Sequence, residues 1–415
     1  MSRCVFGRRR KAFIALLAVA IGLTAAAPGA WAKKKSHDHA ACADSDDDDK
    51  PDFPWQRFSN HNTCVEFTNT LTFAYQNLLR SSGGLPLPAR TGTASSDNPV
   101  VKSFTYEPSL DTTTPTALGD LETTLDLSIK RSSDDTTLKG TLSEGTVALA
   151  GVTVGYTDSV MNFWDGDFQS SANVPSRTVG VVRYEHEIFE NSKLGLSLET
   201  GVPTSSPSDK LFAPIYPDDP VLAVRWLYET DPLTVQVSGM MHRLKYGGES
   251  DIRIPRLANR TGSVDGWAAT AGATVALPFI NDDDEASMQA TYAVNASPYL
   301  GTNMDLSTLA SVIPFKVDTR GWSAVVSYHH AWSDEWESNV FVSRLALDIS
   351  VLGAYPTVRT TRWGANVKWS PVSYITVGAE LGYQDTRVEP NGTIGILNGN
   401  SGQQLTGYLF AEFDF

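Results

Sequence analysis

From Cys64 to the carboxy-terminus, apolar and polar residues alternate with a period of two, segment after segment. Such alternation marks strands with one apolar and one polar face. In the first segment Val65, Phe67, Leu71, Phe73 and Tyr75 share one face, and Glu66, Thr68, Thr70, Thr72 and Gln76 the other. The pattern recurs around 117–130, 192–200, 232–246, 362–369 and 374–384. In the last of these Ile375, Val377, Ala379, Leu381 and Tyr383 oppose Thr376, Gly378, Glu380, Gly382 and Gln384. The final eleven residues, LTGYLFAEFDF, set Leu405, Leu409, Ala411, Phe413 and Phe415 in one row. A soluble sandwich alternates too, so the period alone leaves the architecture open.

The connections decide it. Short turns at Ala150-Gly151, Phe189–Ser192, Thr230–Pro232, Phe279–Asp284, Ser333–Glu335 and Ser370–Ser373 take turns with long polar segments at 201–219, 247–263, 297–319, 348–357 and 388–403. Outer-membrane barrels show this asymmetry, with short periplasmic turns and long outer loops. A sandwich has no reason to. Counting back from a periplasmic carboxy-terminus makes 159–177 an outer loop and requires one more strand between 77 and 116. NPVVKSFTYE (98–107) supplies it, and the total is sixteen. Barrels of that size enclose an aqueous channel. Trp226, Trp267, Trp322, Trp363 and Trp369 fall on the apolar faces, where lipid contact suits them.

The first residues carry the compartment signal. Arg3, Arg8, Arg9, Arg10 and Lys11 precede an apolar run and an Ala30-Trp31-Ala32 cleavage site, so residues 1–32 read as a secretory signal peptide. Its loss removes five positive charges and no negative one. The mature chain then holds 28 Lys and Arg against 47 Asp and Glu, a net −19, which disfavours nucleic acid as a partner. Residues 33–62 form a polar, acidic leader, and 63–415 the barrel domain. Cys42 and Cys64 remain as an even pair in an oxidising compartment and read as a disulfide.

Several segments together resemble the alphaproteobacterial porins. They are TCVEFTNTLTFAYQ (Thr63–Gln76), VALAGVTVGYTDSVMNFWDG (Val147–Gly166), GWAATAGATVALPFI (Gly266–Ile280), QATYAVNASPYLG (Gln289–Gly301), WGANVKWSPV (Trp363–Val372) and the closing GYLFAEFDF. The resemblance implies a 16-stranded antiparallel transmembrane β-barrel whose third outer loop folds inward and narrows it. It also implies a homotrimer passing small hydrophilic solutes passively, and a Cys42–Cys64 bridge. The terminal strand with Phe413 and Phe415 resembles the one by which the outer-membrane assembly machinery recognises barrels.

On that reading the narrowing loop runs from about Thr157 to Arg177 and carries Asp158, Asp165 and Asp167 beside Phe163, Trp164 and Phe168, facing basic wall residues placed inward by alternation: Arg183, Arg225, Arg362 and Lys368. Carboxylates opposite a basic wall set a transverse field that sorts ions by sign. Tyr156 stands where the family often has arginine, and with the net charge this leans the channel toward cations. Two other functions fit less well. A sugar- or anion-specific channel would be favoured by an aromatic track inside the pore, which Phe163 and Trp164 could begin. A barrel hydrolase would need Ser327, His329 and His242 to converge. Neither a metal nor a cofactor is expected: His37, His39 and Cys42 lack zinc spacing, and the acidic turn Asp282–Glu285 lacks that of a calcium loop.

Overall fold

The computed structural model describes residues 57–60, 63–83, 99–200, 220–246, 262–301, 318–350, 355–389 and 401–415. The expected signal peptide, Cys42 and nearly all of the expected leader lie outside the described residues. Cys64 is disulfide-bonded.

A short strand, β1 (Arg57–Asn60), pairs with the start of the first barrel strand. The barrel strands are β2 (Thr63–Gly83), β3 (Val100–Thr116), β4 (Gly119–Ser132), β5 (Leu138–Leu149), β6 (Val152–Asp158), β7 (Thr178–Phe189), β8 (Ser192–Glu199) and β9 (Val221–Thr230). They continue through β10 (Leu233–Tyr246), β11 (Gly262–Ala276), β12 (Glu285–Val294), β13 (Asp318–Ser333), β14 (Trp336–Ser350), β15 (Thr357–Val372), β16 (Ile375–Glu389) and β17 (Ser401–Asp414). Each is antiparallel to its neighbour in sequence, and β17 pairs with β2. Sixteen strands therefore close on themselves. Closure leaves no edge, the condition for a sheet to stand in hydrocarbon.

The expected faces hold. Phe73, Val182, Trp226, Trp267, Trp322, Val377 and Leu409 are exposed large side chains on the outer surface, while Gln76, Arg183, Gln236, Gln289, Lys368 and Glu380 are buried on the inner one. The connection between β5 and β6 is tight. Ala150 and Gly151 both take positive φ, 53° and 80°, as a two-residue hairpin with the twist of its strands requires. The wall is uneven in height: β2 runs 21 residues, β6 only 7 and β8 only 8. Seven residues rise roughly 23 Å before tilt. The connection after β6 therefore leaves the wall at its lowest point and can turn inward.

Candidate functional site: a folded-in loop between two unlike inner walls

Residues 159–177, between β6 and β7, lie along the inner surface of the barrel. Their base is closed by Ser159 N–H donating to the Arg177 carbonyl at 2.8 Å and by Asn162 Nδ2 donating to the same oxygen at 3.2 Å. From there the loop meets one inner side chain after another. Glu199 on β8 accepts from Ser159 Oγ at 2.7 Å and from the Val160 N–H at 3.0 Å. Gln236 on β10 donates to the Val160 and Asn162 carbonyls. Gln289 on β12 donates to the Met161 carbonyl and accepts from the Trp164 N–H at 2.8 Å.

The far half is held as firmly. Glu380 on β16 receives the Gln169 and Ser170 N–H groups at 2.7 and 2.6 Å, one on each oxygen. Asn366 on β15 donates to the Asp167 carbonyl at 2.8 Å. Ser343 on β14 accepts from the Asn173 N–H at 3.0 Å. Backbone groups of a loop removed from water need such partners, and the inward polar row supplies them.

An apolar knob completes the anchorage. Trp164 packs against Phe168 and Phe341, with ring centroids 6.1 and 5.6 Å away, and its indole N–H donates to Ser327 Oγ at 2.8 Å. Trp164 is therefore buried and does not line an open aromatic track. Phe163 lies directly over Gly272 of β11, where any Cβ would collide with its ring.

The expected charged site residues divide into three groups. Asp165 and Asp167 are exposed on the loop, and Asp167 pairs with Lys368, which also meets Glu337 at 3.2 Å. The inward cations are engaged: Arg225 pairs with Glu185, Arg183 donates to the Asp158 carbonyl at 2.6 Å, and Arg362 donates to Ser171 Oγ at 2.9 Å. Asp158 departs from the expected grouping. Its side chain stands in the outward row with Val154 and Tyr156 and accepts from Thr178 Oγ1, because the alternation of β6 continues to its last residue and the loop begins only at Ser159. Phe413 and Phe415 close the barrel beside β2, where Phe415 exchanges backbone hydrogen bonds with Asn69.

The hydrolase constellation does not assemble. Ser327 serves Trp164, His329 Nδ1 meets Asn339 Oδ1 at 2.8 Å, and His242 Nε2 meets the Asn295 carbonyl at 2.8 Å. The acidic turn also differs from a solvated one: Asp284 is buried and accepts from Tyr328 Oη at 2.5 Å.

Opposite the loop, the inner face of β3–β5 is open. Glu107, Asp111, Glu122, Asp126 and Glu144 stand there with Lys130, and none of these six is buried. Hydroxyls serve three of the carboxylates: Thr124 donates to Asp111 at 2.7 Å, Ser109 to Asp126 at 2.5 Å and Thr157 to Glu144 at 2.9 Å. Since Thr157 is two residues from the start of the loop, Glu144 sits at the height where the loop leaves the wall.

Sequence reasoning missed the anchors. Glu199, Gln236, Gln289 and Glu380 are recognisably inward, but nothing local says what they hold. Phe341 did leave a signal, since Val340-Phe341-Val342 is apolar on both faces, the mark of a strand covered on both sides.

Residues 89–404 match the porin subfamily. The chain belongs to that family. It is an outer-membrane diffusion channel of the Gram-negative type. No curated protein matches it. Among solved structures it is similar to the outer membrane channel DcaP of Acinetobacter baumannii, at 15% identity and a TM-score of 0.63, over 86% of this chain and 99% of that one. It is also similar to OmpT of Vibrio cholerae in its trimer form, at 11% identity and TM-score 0.53, over 85% and 99%. A third is the anion-selective porin from Comamonas acidovorans, at 11% identity and TM-score 0.51, over 85% and 100%. At these identities the likeness is one of fold.

Proposed function

We propose that this porin passes small hydrophilic solutes and ions by hindered passive diffusion, with a preference for cations, and catalyses no reaction. The open acidic face of β3–β5 carries this reading. Fixed carboxylates lining a water-filled constriction raise the local cation concentration and repel anions. Of the inward cations on other strands, Arg225 is paired with Glu185 and Lys368 with Asp167 and Glu337, so these two offer little counterweight, while Arg183 on β7 and Arg362 on β15 meet neutral oxygens of the chain and keep their charge. In this reading 159–177 is the constriction loop, and Asp165 and Asp167 are its charged edge. Asp158 has no part in it.

The quoted segments support a place among the alphaproteobacterial porins. The same resemblance, with the trimeric form of OmpT, supports a homotrimer exported by its signal peptide, inserted by the assembly machinery through its Phe415 strand and bridged from Cys64 to Cys42.

Planar-bilayer recording of the purified protein under a potassium chloride gradient tests the reading. Expected are stepwise openings in threes with a cation-signed reversal potential that Asp126→Asn with Glu144→Gln moves toward zero. An anion-signed potential, or one indifferent to that double change, would overturn the selectivity. A folded barrel without conductance would overturn the channel itself.

A further inference from the structure

The connection after β12 also enters the barrel. Its described part begins at Asn295 and runs through a 3-10 turn, Ser297–Leu300, in which all four residues are buried. Asn295 fixes the entrance. Its N–H donates to the Thr319 carbonyl at 2.7 Å, and its Oδ1 accepts from the Thr319 N–H at 2.9 Å.

The far end is fixed by the constriction loop. Gly301, at φ 74°, lies against the backbone of Asn173 and Val174, where a Cβ would collide. Glycine is needed there both for the left-handed backbone and for the close approach. Arg177 Nε donates to the Pro298 carbonyl at 3.0 Å. Tyr299 and Leu300 share one buried apolar cluster with Val160 and Met161 of the loop and with Ala268, Ala293, Leu345 and Leu347 of β11, β12 and β14. Turn and loop thus form a single layer. Beneath it Thr291, Thr319 and Ser323 are 1–3% exposed, although in an open tube an inward Ser or Thr would face water.

We infer that Asn295–Gly301 is a second narrowing element, which closes the β10–β14 side of the lumen to solutes and confines passage to the side of β3–β5. The inference rests on the diffusion-channel reading. It assigns Leu300 and Tyr299 the role of positioning residues: they back the constriction loop from behind and touch no solute.

Thiol accessibility tests it. Cysteines are introduced singly at Ala293 and Ser323, under the layer, and at Thr124, on the open wall. The barrel in lipid vesicles is treated with a small cationic methanethiosulfonate and the modified fraction is read by mass. The chain without an added cysteine sets the background. The Thr124→Cys thiol should react at least roughly tenfold faster than the two covered ones, since a covered thiol reacts only through local opening. Ser323→Cys changes one atom, so it serves if Ala293→Cys does not fold. Adding Leu300→Ala should speed the covered thiols, leave the open one unchanged and raise single-channel conductance. Equal rates at all three positions, or a conductance indifferent to Leu300→Ala, would overturn the inference while the channel stands. A barrel with the expected rate contrast and no conductance would instead remove the channel reading, and with it the narrowing role.

Discussion

The inner faces of β3–β5 and of β8–β14 belong to one closed sheet and alternate in the same way, yet they meet different surroundings. Along β3–β5, Asp111, Asp126 and Glu144 stay partly exposed and accept from the hydroxyls of Thr124, Ser109 and Thr157. Along β8–β14, Glu199, Gln236, Gln289 and Ser343 are nearly fully buried, and each is matched to a backbone group of the loop. The same residue types do two jobs. Facing water, a carboxylate contributes field; facing a loop, it contributes two hydrogen-bond acceptors in fixed places. Coverage makes the difference, and the apolar residues Val325 and Phe341 show where coverage lies.

The sharpest way to break this comparison is to empty the covered side. Phe341→Ala should destabilise the barrel by about 3–5 kcal/mol, the usual cost of deleting a packed aromatic. Thr124→Ala on the open wall should stay within about 0.5 kcal/mol. Denaturant unfolding from lipid vesicles measures both, and equal costs would mean the two walls are not different environments.

A smaller effect is expected at the carboxylate clamp. Glu380→Gln replaces one of two acceptors with a donor aimed at a backbone N–H. It should cost about 1–3 kcal/mol and add noise to the open-channel current. Unaltered noise together with unaltered stability would show that Glu380 does not hold the loop.

Charge on the loop separates from charge on the wall in a third measurement. Asp165→Asn should move the reversal potential less than Asp126→Asn with Glu144→Gln, and should leave stability within about 0.5 kcal/mol. A larger shift from Asp165 would place the dominant field on the loop.

The smallest effect belongs to a site outside both walls. In the turn before β12, burial of Asp284 opposes its ionisation. Hydrogen bonds from Tyr328, His330 and the Ala331 N–H outweigh that burial and hold the carboxyl below its ordinary value. A depressed carboxyl contributes stability above the ordinary value of 3.8, and that stability is lost as pH falls through the folded value below it. Tyr328→Phe should therefore be less stable than the parent at neutral pH, with a gap that narrows below pH 3.8. Unfolding midpoints across pH 2–7 would show it. A gap constant across that range would assign the Tyr328 contact no electrostatic role.

The walls also mark how far the sequence could be read. Strand number, the inward row of Gln236, Glu380 and Lys368, and the place of 159–177 as a connection between two strands were all legible, because alternation and connection length are local and the barrel repeats them. The grouping of Asp158 with the loop was not, since one further residue of strand turns its side chain outward. Trp164 looked like the start of a solute track. It became a buried knob because Phe341 and Phe168, far apart in the chain, offer it a socket.

By itself the sequence determined the closed sixteen-stranded barrel and which face of each strand meets lipid. Period-two patterning and alternating connection lengths leave no other arrangement that satisfies every backbone group in a membrane. Only the tertiary structure decided which half of the inner wall is covered, which inward carboxylates bind a loop and which stand open, and that the turn at 297–300 joins the layer. Those outcomes depend on where residues 159–177 and 295–301 come to rest against the inner wall. That resting place is fixed by contacts between residues more than a hundred positions apart, such as Trp164 with Gln289 and Ser170 with Glu380, which no local pattern encodes.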